Sequence, residues 1–119
     1  MNRVMIVTPN QDMRTIIWHY LERMSIDYVL CVTNGEAALR VLGNPESGID
    51  VAIISNERLG MPAENIWKRA RKVNPLIKGV VFTTSPNLQK VVDAFGGEVA
   101  VVLVPFDFDA LRAAVLVQR

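Results

Sequence analysis

The polar residues best placed for chemistry fall in four short turns, each directly after an apolar run: Thr8-Pro9-Asn10, Ser55-Asn56-Glu57, Thr83-Thr84-Ser85 and Val104-Pro105-Phe106. Hydroxyls dominate the first three. A serine nucleophile at Ser55 needs a base within hydrogen-bond reach, and the one histidine, His19, falls mid-way along a helical pattern with no reason to approach it. The plain reading of Ser55 is a small polar residue filling a crevice. The alternative is that Ser55, Thr83 and Glu57 form the site of a small enzyme or a ligand binder. A magnesium ion takes one or two carboxylates among its oxygen ligands, and in these turns Glu57 is the only carboxylate. None of them carries G-x-G-x-x-G or G-x-x-x-x-G-K-[ST], the glycine patterns that bring backbone N–H groups to a phosphate. Cys31 is the single cysteine and His19 has no ligand-type neighbours at useful spacing, which excludes a disulfide and a soft-ligand metal centre. No cofactor and no catalytic residue is expected, and the chain is not read as an enzyme.

The turns are positioned by the runs before them. Arg3 to Val7, Tyr28 to Val32, Val51 to Ile54, Gly79 to Phe82 and Val99 to Val104 are short, rich in Val and Ile, and not alternating, the pattern of strands covered on both faces. Between them lie segments of helical period. Met13, Ile16, Ile17, Tyr20, Leu21 and Met24 make a first stripe, with Asn10 or Asp12 as its cap. Ala37, Ala38, Leu39 and Leu42 follow Asn34-Gly35 and end at Gly43-Asn44-Pro45. Pro62 fits a first helical position ahead of Ala63, Ile66, Trp67, Ala70 and Val73. Ser85-Pro86 opens a shorter helix carrying Leu88, Val91, Val92 and Phe95, and Asp107 or Asp109 caps a last one that turns Leu111 and Val115 inward. Strict βα alternation predicts right-handed crossovers and a parallel sheet with helices on both faces. Open sheets of this kind place their site at the carboxyl ends of the strands, where the four turns lie.

Composition bounds the rest. A chain of 119 residues is expected to form one domain, 1–119, large enough for a full core without staples. Thirteen Lys and Arg against twelve Asp and Glu give a net charge of +1, so nucleic acid has no general electrostatic argument. The one basic cluster, Lys68, Arg69, Arg71 and Lys72 with Lys78 nearby, reads as a solvated helix face. No signal-peptide pattern and no run of 18 apolar residues is present, so the expectation is a cytoplasmic protein with no membrane partner. Half of the residues are apolar, a high share that points to surface meant for a partner.

The order of these features resembles the receiver domain of two-component response regulators. The resemblance rests on Val4 to Val7 followed by a turn and Asp12-Met13-Arg14, on Asn34-Gly35-Glu36-Ala37-Ala38-Leu39, on Asp50 to Ile54 followed by Gly60-Met61, and on Pro105-Phe106-Asp107. It spans essentially the whole chain and implies an α/β, flavodoxin-like three-layer fold with a five-stranded parallel sheet in the order 2-1-3-4-5 and five helices. It also implies a degenerate site. The acidic pair that holds Mg²⁺ in receivers falls on Thr8 and Pro9, the phosphoacceptor aspartate on Ser55, the lysine on Val104 and the switch aromatic on Val101, while the hydroxyl residue is kept as Thr83. Glu57, two residues past Ser55, points elsewhere if its turn follows the receiver pattern. Phosphoryl transfer to an aspartate requires the carboxylate, the divalent ion and the lysine together. A phosphorylation-independent, atypical receiver follows from the resemblance, with function moved to a surface: an output domain, a kinase-like or other signalling protein, or a second copy.

Two surfaces qualify. On the last helix, Ala110, Ala113, Leu116 and Val117 spread outside the Leu111/Val115 stripe beside Phe106 and Phe108, where a lone surface helix shows a polar face. Either a partner covers them or the alanines are ordinary helix filler. Trp18 is rotated off the first helical stripe toward Arg14 and Glu22, and is either an exposed anchor or an indole lying along the helix flank.

Overall fold

Val and Ile dominate the apolar runs, and β-branched side chains pack well on a pleated surface. The computed structural model describes residues 3–26 and 28–116. In chain order it contains β1 (Arg3–Val7), α1 (Gln11–Arg23), β2 (Tyr28–Val32), α2 (Gly35–Leu42), a 3-10 turn (Pro45–Ser47), β3 (Val51–Ser55), α3 (Ala63–Val73), β4 (Lys78–Thr83), α4 (Leu88–Ala94), β5 (Ala100–Leu103) and α5 (Phe108–Leu116). The strands form one parallel sheet in the order β2-β1-β3-β4-β5. The order reverses between β1 and β3, and a crevice opens there at the carboxyl edge.

Alternation along each strand divides the core into two layers. Met5, Val7, Ala52, Ile54 and Val81 face α2, α3 and α4, where they meet Leu42, Ile66, Trp67 and Phe95. Val4, Ile6, Ile53, Val80 and Phe82 face the opposite way, onto Ile17 and Leu21 of α1 and Leu111 and Val115 of α5. Gly79 is needed where the Trp67 ring abuts β4: a Cβ there would stand 2.7 Å from Trp67 Cη2.

Side-chain caps set the helix starts. Asn10 Oδ1 accepts from Met13 N at 3.0 Å, Asn34 Oδ1 from Ala37 N at 2.8 Å, Asn87 Oδ1 from Lys90 N at 3.1 Å and Asp107 Oδ1 from Ala110 N at 2.8 Å. Each satisfies an N–H that has no partner within its helix. Pro62 stands one residue before α3 rather than inside it, and α4 begins at Leu88, past Ser85-Pro86.

Three sequence expectations are corrected. β2 is not covered on both faces: Tyr28 and Cys31 are exposed and the other three residues half-buried, because β2 is an edge of the sheet. Ile16 and Val73 continue their helical stripes in sequence yet are exposed: Ile16 lies one residue around α1 from the buried Ile17 and Leu21 line, and Val73 is the last residue of α3. Arg71 does not belong to a solvated basic face: it is half-buried, pairs with Glu98, and its Nε is buried without a hydrogen-bond partner.

Candidate functional site

Three polar side chains are buried among the described residues: Thr8, Ser55 and Thr83, at 0%, 5% and 4% exposure. All three sit at the carboxyl ends of the central strands β1, β3 and β4. The register explains their meeting. Val7 pairs with Ile54 and Ser55 with Phe82, so Thr8, Ser55 and Thr83 emerge side by side from neighbouring strands.

Buried hydroxyls need partners, and each of these has one within the chain. Thr8 Oγ1 accepts from Asn10 N at 3.2 Å. Ser55 Oγ donates to the Glu57 carboxylate in a short contact. Thr83 Oγ1 accepts twice, from Asn56 Nδ2 at 3.1 Å and from Ser85 N at 3.0 Å. The backbone closes the same set: Asn56 N donates to Phe82 O at 2.9 Å and Val104 N to Thr83 O at 2.8 Å. Arg14 reaches back from α1, its Nη1 donating to Thr8 O at 2.9 Å. The result is a crevice whose hydroxyls are all turned toward neighbouring protein groups.

Its chemistry is narrow. A divalent ion bound through oxygen takes carboxylates and keeps several waters. Pro9 has no side-chain donor, Thr8 and Ser55 offer hydroxyls already engaged, and the one carboxylate, Glu57, is held by Ser55. The residues present do not fit a Mg²⁺ site. Among the described residues, no three of His, Cys, Asp and Glu come together.

The chain superposes over nearly its full length on solved structures, several of them receiver domains. A receiver domain protein from Clostridium thermocellum matches at a TM-score of 0.83 and 17% identity, over 97% of this chain and 91% of that one. A chemotaxis response regulator of Vibrio cholerae matches at 0.81 and 21%, over 97% and 96%. A putative pilus assembly-related protein of Burkholderia pseudomallei matches at 0.76 and 16%, over 100% and 93%. No protein-family model matches the sequence, and no curated protein matches it significantly. The fold is that of receiver domains. The five-stranded order 2-1-3-4-5 that the resemblance implies is the order observed.

Within this receiver fold the singled-out residues separate into distinct places. Thr8, Ser55 and Thr83 line the crevice, with Pro9 exposed at its rim. Val104 is half-buried beside the α1/α5 layer and precedes a cis peptide bond to Pro105. Val101 is half-buried against the α2/α3/α4 layer. Glu57 does not point away from the crevice, contrary to expectation: it folds back so that its carboxylate meets the Ser55 hydroxyl. Asn56 and Arg14 were not singled out as site residues, although both complete the crevice network. Asn56 stood in the Ser55-Asn56-Glu57 turn, and its amide, with donors and an acceptor, was the available signal.

The expected surface is also redistributed. Leu103, Pro105, Phe106, Asp107, Ala110 and Ala113 line a groove of about 490 Å³ between β5 and α5, opened by the smallness of the alanines. Phe106 is not a free anchor there: its ring lies 6.2 Å from Phe82 and 6.3 Å from Tyr20. Phe108 likewise packs inside the molecule, 5.7 Å from the Tyr20 ring, with the Arg23 guanidinium 3.9 Å above it. Leu116 is 41% exposed, and Val117 lies outside the described residues. Trp18 is exposed on α1, away from this groove.

Proposed function

We propose that the chain is an atypical receiver domain, a pseudo-receiver, that works in signal transduction of the two-component, phosphorelay type without aspartate phosphorylation. The 119 residues make one receiver-like domain. On this reading Ser55 stands where the phosphoacceptor would be, Thr8 and Pro9 replace the acidic pair, Val104 the lysine and Val101 the switch aromatic, with Thr83 the retained hydroxyl. It is no enzyme, takes no cofactor, and acts in the cytoplasm by protein–protein contact.

The observation that carries this reading is the self-satisfied crevice. Ser55–Glu57 and Asn56–Thr83 close it with internal hydrogen bonds and leave no cluster of carboxylates to neutralise a phosphoryl group. A working acidic cluster raises the pKa of its own members and strains the unliganded fold; hydroxyl, proline and valine replacements remove that strain and favour one resting state. The output then lies on a surface, and the groove between β5 and α5 is the face for a partner protein: an output domain, a kinase-like signalling protein or a second copy. No helix among the described residues is long and apolar enough to cross a membrane.

One contact favours a second reading. Ser55 Oγ donating to a carboxylate has the form of a nucleophile and its base, as an unconventional receiver or small enzyme would need, or a ligand binder using the Ser55/Thr83 crevice. Against it, Ser55 is 5% exposed and offers a substrate little access. Incubation with Mg²⁺ and acetyl phosphate, read by intact mass, separates the two. No added phosphate is expected; a stoichiometric, Mg²⁺-dependent gain of one phosphoryl group overturns the main reading.

A further inference from the structure

The edge of the sheet opposite β5 is β2, with the Arg3 guanidinium 4.7 Å over the Tyr28 ring at its start. β2 pairs with β1 alone among the described residues, and Tyr28-Val29-Leu30-Cys31-Val32 contains no charge and no proline. Such an edge presents a row of backbone N–H and C=O groups to any extended chain, and natural edges are usually blunted by charges, prolines or bulges. Beside this edge α1 carries Arg14, Trp18 and Glu22 at four-residue steps, which places them along one flank of the helix. Trp18 is 41% exposed. With Glu22, Ser25, Ile26 and Val29 it lines a cavity of about 430 Å³ between α1 and β2. Arg14 stands on the same flank, close enough to Cys31 of β2 for its charge to act on the thiol.

We infer that this face joins two copies of the chain, β2 pairing antiparallel with β2 about a two-fold axis. The charge pattern selects the occupant. A two-fold axis near the middle of α1 sets Arg14 of each copy opposite Glu22 of the other and brings the two Trp18 side chains together. The stripe of positive, aromatic and negative residues is therefore complementary to itself. The strand meets its own copy with no like-charge contact, since it has no charges. Backbone pairing fixes the direction, and the indole of the second copy enters the space beside Trp18, where an aromatic side chain gains most from burial. The interface is on the opposite edge of the sheet from the β5/α5 groove, and it touches the crevice network only through Arg14, whose Nη1 also donates to Thr8 O.

Sedimentation velocity of the full chain over a concentration series tests it, with circular dichroism as the check on folding. The wild type is expected to form a dimer. Glu22→Arg, which sets arginines against each other, weakens it by about tenfold or more, and Cys31→Lys, which charges the exposed edge, does the same by a different route. Ala113→Glu, in the β5/α5 groove, leaves the dimer intact. A wild type that stays monomeric at every concentration overturns the inference. So does a dimer indifferent to both Glu22→Arg and Cys31→Lys, or one abolished by Ala113→Glu.

Discussion

Asn56 Nδ2 donates to Thr83 Oγ1 across 3.1 Å, tying the loop after β3 to the end of β4. The two residues are 27 positions apart, and the other donor to that oxygen is the backbone N–H of Ser85. The bond holds the β3 and β4 turns in one arrangement from inside the protein. The bond from Ser55 to Glu57 closes the turn after β3 on itself.

Removing the Asn56 amide tests this arrangement. Asn56→Ala leaves Thr83 Oγ1 with the Ser85 N–H as its remaining donor, and the variant is expected to lose about 1 kcal/mol of stability. Urea unfolding should show a lower midpoint with an unchanged slope. An unaltered midpoint would mean that water replaces the amide at no cost.

Trp67 against Gly79 gives a sharper prediction in the opposite layer. In Gly79→Ala the new methyl group meets Trp67 Cη2, Cζ3 and Cζ2 at 2.7, 2.9 and 3.0 Å, and the indole is 1% exposed with nowhere to retreat. Overpacking of this kind costs about 1–3 kcal/mol. Thermal unfolding should register it as a fall in midpoint, with a change in the environment-sensitive tryptophan fluorescence.

Phe106 and Ala113 line the same groove, yet they should respond differently. Phe106→Ala removes a ring that bridges Tyr20 and Phe82 and is expected to destabilise by about 3 kcal/mol. Ala113→Glu places a charge at an exposed helix position and should stay within about 0.5 kcal/mol of wild type. Comparing the two unfolding curves separates packing from surface. Equal losses would show that the alanine face is buried in the folded protein.

Cys31 carries a pH signature. Although Cys31 is exposed as a residue, the part of its surroundings that keeps water from the thiol raises it above the ordinary value, with the Arg14 charge opposing that rise. At neutral pH the thiolate fraction is therefore smaller than for a free cysteine, and iodoacetamide should alkylate Cys31 more slowly than a small-molecule thiol. The stability sign follows from linkage. Because the folded state holds the proton more tightly, this stability is fully present below the unfolded thiol pKa and is lost as pH rises through the folded one. Cys31→Ala should flatten that alkaline decline in a pH series of unfolding midpoints; an identical slope in both proteins would refute the assignment.

Much of the architecture is local, and was legible for that reason. The Val- and Ile-rich runs, the helical stripes between them and the Asn and Asp caps each involve neighbours in sequence, and together they dictate alternating strands and helices on a parallel sheet. The crevice residues Thr8, Ser55 and Thr83 were legible as positions because they follow strands directly. Their partners were not. Asn56 finds Thr83, and Phe106 finds Tyr20 and Phe82, only once the register has set β3 beside β4 and α1 beside α5. The backward turn of Glu57 onto Ser55 depends on the conformation of a loop that no periodicity encodes.

The same division governs the surfaces. Tyr28–Val32 reads like any buried strand, because apolar content says what a strand can tolerate on its faces and nothing about which strand ends the sheet. Strand order decides that, and it leaves β2 paired on one side only. Sequence pattern sets the kinds of elements and the residues at their ends; tertiary structure decides who meets whom, since hydrogen bonds and packing act over a few ångströms between groups that the chain keeps far apart.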